Sequence, residues 1–283
     1  MSLTLPSIRG VLLDVDGTLW RGGEPVPGLA DFFTFLRTQE IGVRIVTNNS
    51  LKLPGYYRRK LAHFGVTVSD EEILTSATAT GRYLAQTLVP GDSVYVIGEQ
   101  GLLAAVREAG MMVAPDAGKL VAAVVVGGDR CLTYAKLKHA VLLLQRGARL
   151  IGANPDLLIP TAAGLAPETG VTLAALTAAT GVSPTIIGKP ERWLFDTALA
   201  QLGLAPAQAL MVGDRLDTDI YGAQQVGMHT ALVTTGVDGI KAIESKAIQP
   251  DVLAAHLGEL MEMWGRSLDC IIGSRIRMEI RRG

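Results

Sequence analysis

The chain predicts an α/β fold with parallel strands. Short β-type runs alternate with helical patterns almost from end to end, as strand–helix–strand units do. Several of these strands end in charged or polar residues, and open parallel sheets bind their ligands at carboxyl strand ends. With 283 residues, 48% of them hydrophobic, there is material for one large domain or two smaller ones.

Taken in order, Val11–Asp14 reads as the first strand. A helix begins near Gly28 and sets Leu29, Phe32, Phe33 and Leu36 on its inner face at helical spacing. Val43–Thr47 is the next strand, followed by a helix from about Pro54 to Phe64. Ile73–Ser76 and a helix through Leu84 complete this first part. Val94–Ile97, Leu120–Val126 and Leu150–Gly152 are further strands. Helices around Leu102–Glu108, Tyr134–Gln145 and Leu173–Thr180 separate or follow them, so this middle stretch is a candidate small α/β domain. Thr185–Ile187, Ala209–Val212 and Thr230–Val233 resume strand character, interleaved with helices at Trp193–Leu202 and Asp219–Val226. No repeat and no low-complexity linker marks a boundary.

Composition excludes several classes. Lys plus Arg (26) nearly balance Asp plus Glu (27) for a net charge of -1, without the electrostatic footprint of a nucleic-acid binder. The longest apolar stretch, Leu120 to Val126, is too short to span a bilayer. The N-terminus lacks the charged start, apolar stretch and small-residue site of a secretory signal. Cys131 and Cys270 make neither a disulfide framework nor a metal site. A soluble cytoplasmic protein acting on a small molecule, with neither nucleic acid nor membrane as partner, is the simplest reading.

The most informative stretch is Asp14-Val15-Asp16-Gly17-Thr18, directly after Val11-Leu12-Leu13. Carboxylates two residues apart at a strand end point the same way. Gly17 lets the chain turn sharply, and the Thr18 hydroxyl can tie that turn. Two like charges at the end of a buried strand call for a cation or a proton between them. A calcium loop is a poor alternative, because Leu19, Trp20 and Arg21 are weak oxygen donors where such a loop needs ligands.

Other strand ends add polar chemistry. Thr47-Asn48-Asn49-Ser50 offers hydroxyl, amide and N–H groups suited to phosphate oxygens, though Asn and Ser here are also common turn formers. Lys189, in Gly188-Lys189-Pro190, follows an apolar strand. It needs an anionic partner if buried, or else it snorkels to water. Pro190 rules out a P-loop lysine. Gly213-Asp214 puts another carboxylate at a strand tip, and Asp219 starts the next helix. Asp217 fits ordinary helix-dipole complementarity better than a ligand role. Asp214 beside Asp14 and Asp16 would collect negative charge, which a hard divalent cation such as Mg²⁺ resolves while keeping waters for substrate. There is no G-x-S-x-G elbow, no H-E-x-x-H and no G-x-G-x-x-G after a strand.

Jointly, Asp14-x-Asp16-Gly-Thr, Thr47-Asn48, Lys189 and Gly-Asp214-x-x-x-x-Asp219 resemble the four signature motifs of the haloacid-dehalogenase-like (HAD) superfamily. The resemblance covers residues 8 to 262. Between Asp14 and Thr47 lie 32 residues, room for a hairpin flap and one helix. Between Thr47 and Lys189 lie 141, which must hold an inserted domain. That placement looks like the NagD-like, or p-nitrophenylphosphatase-like, branch (subfamily IIA). Gly127-Gly128-Asp129-Arg130 with Thr133-Tyr134, and Ala153-Asn154-Pro155-Asp156, also resemble its cap. The resemblance implies a Rossmann-like parallel-sheet core, residues 1–78 and 185–264. It further implies an inserted α/β cap, 79–184, and leaves a C-terminal extension, 265–283.

It also implies a Mg²⁺-dependent phosphatase of small phosphomonoesters. Asp14 is then the nucleophile that becomes phospho-aspartate. Asp16 protonates the leaving alcohol and later activates water. Mg²⁺ is held by Asp14, the Asp16 backbone carbonyl and Asp214, with Asp219 orienting a metal-bound water or ligand. Lys189 and Thr47, with Asn48 and Asn49 and nearby N–H groups, hold the phosphoryl oxygens. A homodimer through the cap is common in such relatives, but the sequence itself does not show it. Asp16 argues against a dehalogenase, and the cap position against a sugar-phosphate mutase. The competing class is a non-catalytic phosphometabolite-binding or regulatory module on the same fold. Candidate substrates are p-nitrophenyl phosphate, phosphoglycolate, and nucleotide, glycerol or sugar phosphates. The apolar Asn154–Thr161 loop has no histidine, which disfavours pyridoxal phosphate. Arg275–Arg281 alternates like a strand with one apolar face. It either pairs with a sheet edge or partner subunit or forms a basic tail.

Overall fold

The computed structural model describes residues 7–161 and 164–267. They fall into two compact units. The first holds the described residues through Ile45, Arg59–Glu72 and those from Ala198 onward. The second holds Val46–Arg58 and Ile73–Thr197.

The first strand, β1 (Gly10–Leu13), is buried at all four positions, as a near-continuous apolar run requires of a central parallel strand. A short hairpin of β2 (Trp20–Arg21) and β3 (Glu24–Pro25) follows. Helix α1 (Leu29–Thr38) buries Leu29, Phe32, Phe33 and Leu36, the face read from the sequence. Next come β4 (Gly42–Thr47), α2 (Pro54–His63), β5 (Ile73–Thr75) and α3 (Ser76–Thr87). A reciprocal cap starts α3. The Thr78 N–H donates to Thr75 Oγ1 (3.1 Å), and the Thr75 N–H to Thr78 Oγ1 (2.9 Å).

The middle of the chain runs β6 (Ser93–Ile97), α4 (Gln100–Glu108), β7 (Met112–Ala114), β8 (Ala123–Val126), α5 (Tyr134–Gln145) and β9 (Arg149–Gly152). A second hairpin, β10 (Leu158–Thr161) and β11 (Gly164–Pro167), precedes α6 (Thr169–Thr180) and β12 (Thr185–Ile186). Then follow α7 (Arg192–Leu202), β13 (Ala209–Gly213), α8 (Tyr221–Gln225), β14 (His229–Val233), α9 (Ile240–Lys246) and β15 (Val252–Ala254). Residues 257–267 are helical.

In the first unit the strand order is β15-β14-β13-β1-β4, every pair parallel. Chain order reverses beside β1, whose neighbours β13 and β4 come from opposite ends of the sequence. In the second unit the order is β12-β9-β8-β6-β7, again parallel throughout. Val124, Val126, Ile97, Leu143, Leu144, Leu150 and Leu176 anchor its core. Thr185–Ile187, grouped by sequence with the last strands, is the two-residue β12 and pairs with β9 in this second sheet.

Three local readings change. The Asn154–Thr161 loop is partly strand: Leu158–Thr161 pairs antiparallel with Gly164–Pro167. Leu158 and Leu165 on this hairpin are exposed, so no buried-face alternation announces it. The run from Leu120 contributes only Ala123–Val126 to its strand; Leu120 itself is 70% exposed. The segment read as Asp219–Val226 begins as a wider π-type turn, Leu216–Ile220, before α8. The Ile220 N–H reaches back to Arg215 O (3.2 Å), and Asp219 is turned inward within it. The alternating Arg275–Arg281 segment lies outside the described residues. No helix among the described residues is long and apolar enough to cross a membrane.

Candidate active site

In the first unit, register brings acidic residues together. Leu13 on β1 pairs with Val212 on β13, and the Asp14 N–H continues the ladder to Val212 O at 2.9 Å. Asp14 and Asp214 therefore leave adjacent parallel strands at the same edge, where such sheets hold ligands. Asp219 returns to that edge from the wide turn. Ligand atoms of Asp14, Asp214 and Asp219 all lie within 4.8 Å of one another. Their exposures are 8%, 0% and 1%. When ionised, carboxylates this close repel each other, by about 3 kcal/mol per pair at an effective dielectric of 20 before their other partners are counted. A bound cation relieves that, and an all-oxygen hard donor set fits Mg²⁺ or Ca²⁺.

Glycines make the close approach possible. Gly17, at φ 90, lies where a Cβ would collide with the Asp214 carboxylate. A Cβ on Gly236 would strike the same carboxylate, and one on Gly213 would strike Asp219. Backbone donors then fix the acids. The Val237 N–H donates to Asp214 Oδ2 (2.7 Å) and the Arg215 N–H to Asp219 Oδ2 (3.1 Å).

The segment after β14 was not singled out from the sequence, yet it ties this site together. Thr235 Oγ1 donates to Gly17 O at 2.5 Å, and the Asp238 N–H donates to Asp214 O at 3.0 Å. The buried Asp238 carboxylate accepts from the Leu216 N–H (2.7 Å) and from Lys246 Nζ (2.8 Å). The only trace in the sequence is an acid, Asp238, in the Gly236–Gly239 turn five residues past the end of β14, which is too far from the strand tip to stand out as Asp14 and Asp214 do. Asp217 is exposed and pairs with Arg215 and Lys246, 3.4 and 3.7 Å away, consistent with a surface role.

Asp16, unlike its neighbours, is exposed. Trp20 Nε1 donates to Asp16 Oδ1 at 2.9 Å. Burial lowers the Lys60 pKa, an effect partly opposed by the Asp16 charge. The expected tie from Thr18 is absent. Its hydroxyl is buried and makes no hydrogen bond among the described residues. Instead the turn closes through backbone, Gly17 N–H to Trp20 O (2.8 Å) and Leu19 N–H to Val15 O (2.8 Å).

In the second unit, Thr47, Asn48, Asn49 and Lys189 converge. Thr47 Oγ1 accepts from the Asn49 N–H (3.1 Å), and Asn49 Oδ1 from the Leu51 N–H (2.9 Å). The Asn48 amide clasps Lys189 on both sides: Nδ2 donates to Lys189 O (2.9 Å) and Oδ1 accepts from its N–H (2.8 Å). Asn48 Nδ2 also donates to Asp156 Oδ2, and Asn154 and Ser76 donate to Asn48 O at 2.7 and 2.6 Å. Gly188 is required there, because a Cβ would crowd Asn48 Oδ1 and Ala153 O. Lys189 is 2% exposed, so its ammonium does not snorkel to water; Nζ lies 3.5 Å from Val46 O. Nearby, burial pushes the Glu168 carboxyl up, with the Thr169 hydroxyl opposing and Asp156 reinforcing the shift.

Buried aspartates at adjacent tips of a parallel sheet could hold a divalent cation at a ligand-binding edge. Residues 11–112 match the haloacid dehalogenase-like hydrolase family model, and residues 186–260 a HAD-hydrolase-like one. The chain is 39% identical to an acid sugar phosphatase of Staphylococcus aureus over 251 residues, 89% of this chain and 96% of that protein. It is similar in structure to a p-nitrophenyl phosphatase from Archaeoglobus fulgidus (TM-score 0.85, 31% identity, 90% of this chain and 99% of that one). It also resembles a glycerol phosphate phosphatase from Mycobacterium tuberculosis in complex with calcium (TM-score 0.82, 32% identity, 91% of this chain and 76% of that one). The chain belongs to the haloacid dehalogenase-like hydrolases, in their NagD-like, p-nitrophenylphosphatase-like branch. It is a phosphoric monoester hydrolase.

Proposed function

We propose that this protein is a Mg²⁺-dependent phosphatase of small phosphomonoesters that works through a phospho-aspartate at position 14. The observation carrying the proposal is the buried Asp14–Asp214–Asp219 cluster, whose ligand atoms lie within 4.8 Å of one another. Asp14, the Asp16 backbone carbonyl and Asp214 would hold the ion, with Asp219 orienting its remaining ligands. When bound, the ion neutralises charge on phosphoryl oxygens and keeps Asp14 anionic.

Asp14 Oδ attacks phosphorus as the bond to the leaving oxygen breaks, and Asp16 gives that oxygen a proton. Water then attacks phosphorus, loses a proton to Asp16 and frees Asp14, releasing inorganic phosphate. Thr47, the Asn48–Asn49 backbone and the Lys189 ammonium hold phosphoryl oxygens. The Asn48 side chain, already bonded to both sides of the Lys189 backbone, fixes that lysine. Residues 79–184 act as the cap that selects substrate. Sugar and glycerol phosphates are the first candidates, because similar proteins bear those names and the Asn154–Thr161 stretch has no histidine. The test is rapid acid quench with a ³²P-labelled substrate. A labelled protein should accumulate within one turnover and be missing in Asp14→Asn. Turnover by Asp14→Asn at more than about a thousandth of the native rate would exclude Asp14 as the nucleophile, since covalent attack has no substitute there.

A further inference from the structure

Asp16 presents a difficulty for its proposed role. It is exposed, and a carboxyl on an exposed turn rotates unless something holds it. Trp20 supplies the hold. Its indole Nε1 donates to Asp16 Oδ1 at 2.9 Å, and the two residues also form a backbone bridge. The turn between them closes through the Gly17 N–H on Trp20 O, at 2.8 Å.

The indole itself is buried and packed on two sides. Trp20 is 2% exposed. Phe64 packs on it, ring centroids 6.1 Å apart and inclined at 56°. Lys60 Nζ lies 4.2 Å from the ring centroid, and Nζ is anchored in turn on Gly22 O at 3.1 Å. An aromatic ring held by a cation and a neighbouring ring is a stiff support for one hydrogen bond.

We propose that Trp20 is a positioning residue for Asp16, engaging Oδ1 so that Oδ2 is the oxygen that delivers and recovers the proton. The inference depends on the reading of Asp16 as general acid and base. Chemistry favours indole for the task because its N–H only donates. It cannot take the proton that Asp16 must deliver. In the first half-reaction the proton passes from Oδ2 to the leaving oxygen while the phosphorus–Asp14 bond forms. In the second, the attacking water returns a proton to Oδ2 while that bond breaks. Oδ1 keeps its indole partner throughout.

Leaving-group dependence provides the test, because an acid matters most for a poor leaving group. Phenyl phosphate and p-nitrophenyl phosphate have nearly the same shape, but phenol, with a pKa of about 10, is much the poorer leaving group. The readout is the ratio of kcat/KM for the two, which reports the first, phosphoryl-accepting step. Two variants remove the N–H: Trp20→Phe, and 3-benzothienylalanine at position 20, which keeps the bicyclic shape. Both should lower the phenyl to p-nitrophenyl ratio about fivefold to tenfold, a fraction of what general acid catalysis supplies. Asp16→Asn should lower it further. If Trp20→Phe does not fold, the isosteric replacement decides alone. An unchanged ratio in folded N–H-less protein, with Asp16→Asn still selective against phenyl phosphate, overturns the role of Trp20 only. An unchanged ratio in Asp16→Asn overturns the role of Asp16 itself.

Discussion

Three acidic side chains meet at one strand edge, and on the proposed reading a cation offsets their mutual repulsion. Asp14, Asp214 and Asp219 are almost wholly buried, with the Val237 N–H on Asp214 and the Arg215 N–H on Asp219. Removing one charge should therefore help the metal-free protein and harm the metal-bound one. Asp214→Asn in chelator should melt above the native chain, by roughly 2–4 °C for each kcal/mol of repulsion removed. Mg²⁺ at about a hundred times its Kd should raise the native midpoint by some 5–10 °C, from about 2.7 kcal/mol of linkage, and leave Asp214→Asn unmoved. Differential scanning calorimetry with and without Mg²⁺ measures both. A native midpoint indifferent to Mg²⁺ would mean that the cluster binds no ion.

At the scale of elements, the instructive segment is Thr235–Asp238, between β14 and α9. It bonds to the turn after β1 through Gly17 and to the turn after β13 through Asp214 and Leu216. Asp238 lies in this segment, and its carboxylate accepts from the first N–H of the wide turn that carries Asp219. Groups that orient metal ligands typically influence affinity tenfold to a hundredfold. Asp238→Asn should weaken Mg²⁺ binding by about tenfold in isothermal titration, with little change in folding. Native affinity in this variant would show the clamp to be structural ornament.

Element by element, the strands and helices that carry function were legible because their physics is local. Leu29, Phe32, Phe33 and Leu36 recur at helical spacing, and they are the buried face of α1. The run Val11-Leu12-Leu13 ends in Asp14, and that is where β1 stops. What stayed hidden depends on long-range contact. The wide turn at Leu216–Ile220 carries Asp219 pointing inward, which no periodicity records. The β10–β11 hairpin carries exposed Leu158 and Leu165, so burial does not pattern it. Trp20 looked only like a poor calcium ligand, since its hydrogen bond to Asp16 arises from a turn four residues long. Thr18 seemed able to tie that turn, whereas backbone groups close it and its hydroxyl lies buried.

On the scale of the whole molecule, the chain forms two compact α/β units in interrupted order, the second made of Val46–Arg58 and Ile73–Thr197. In the first unit, the late strand β13 pairs with β1. That single pairing brings residues 200 positions apart in the chain into one acidic cluster. In the second, Asn48 and Lys189 are joined by two hydrogen bonds across 141 positions. The family models and relatives that the chain matches establish its family and phosphomonoester hydrolysis as the reaction class. The most direct measurement is p-nitrophenol release from p-nitrophenyl phosphate by extensively chelated protein, before and after adding back Mg²⁺. Turnover should vanish in chelator, return in proportion to Mg²⁺ occupancy, and fail to return in Asp214→Asn. Undiminished release in chelator would contradict a catalytic cation held at the tips of β1 and β13.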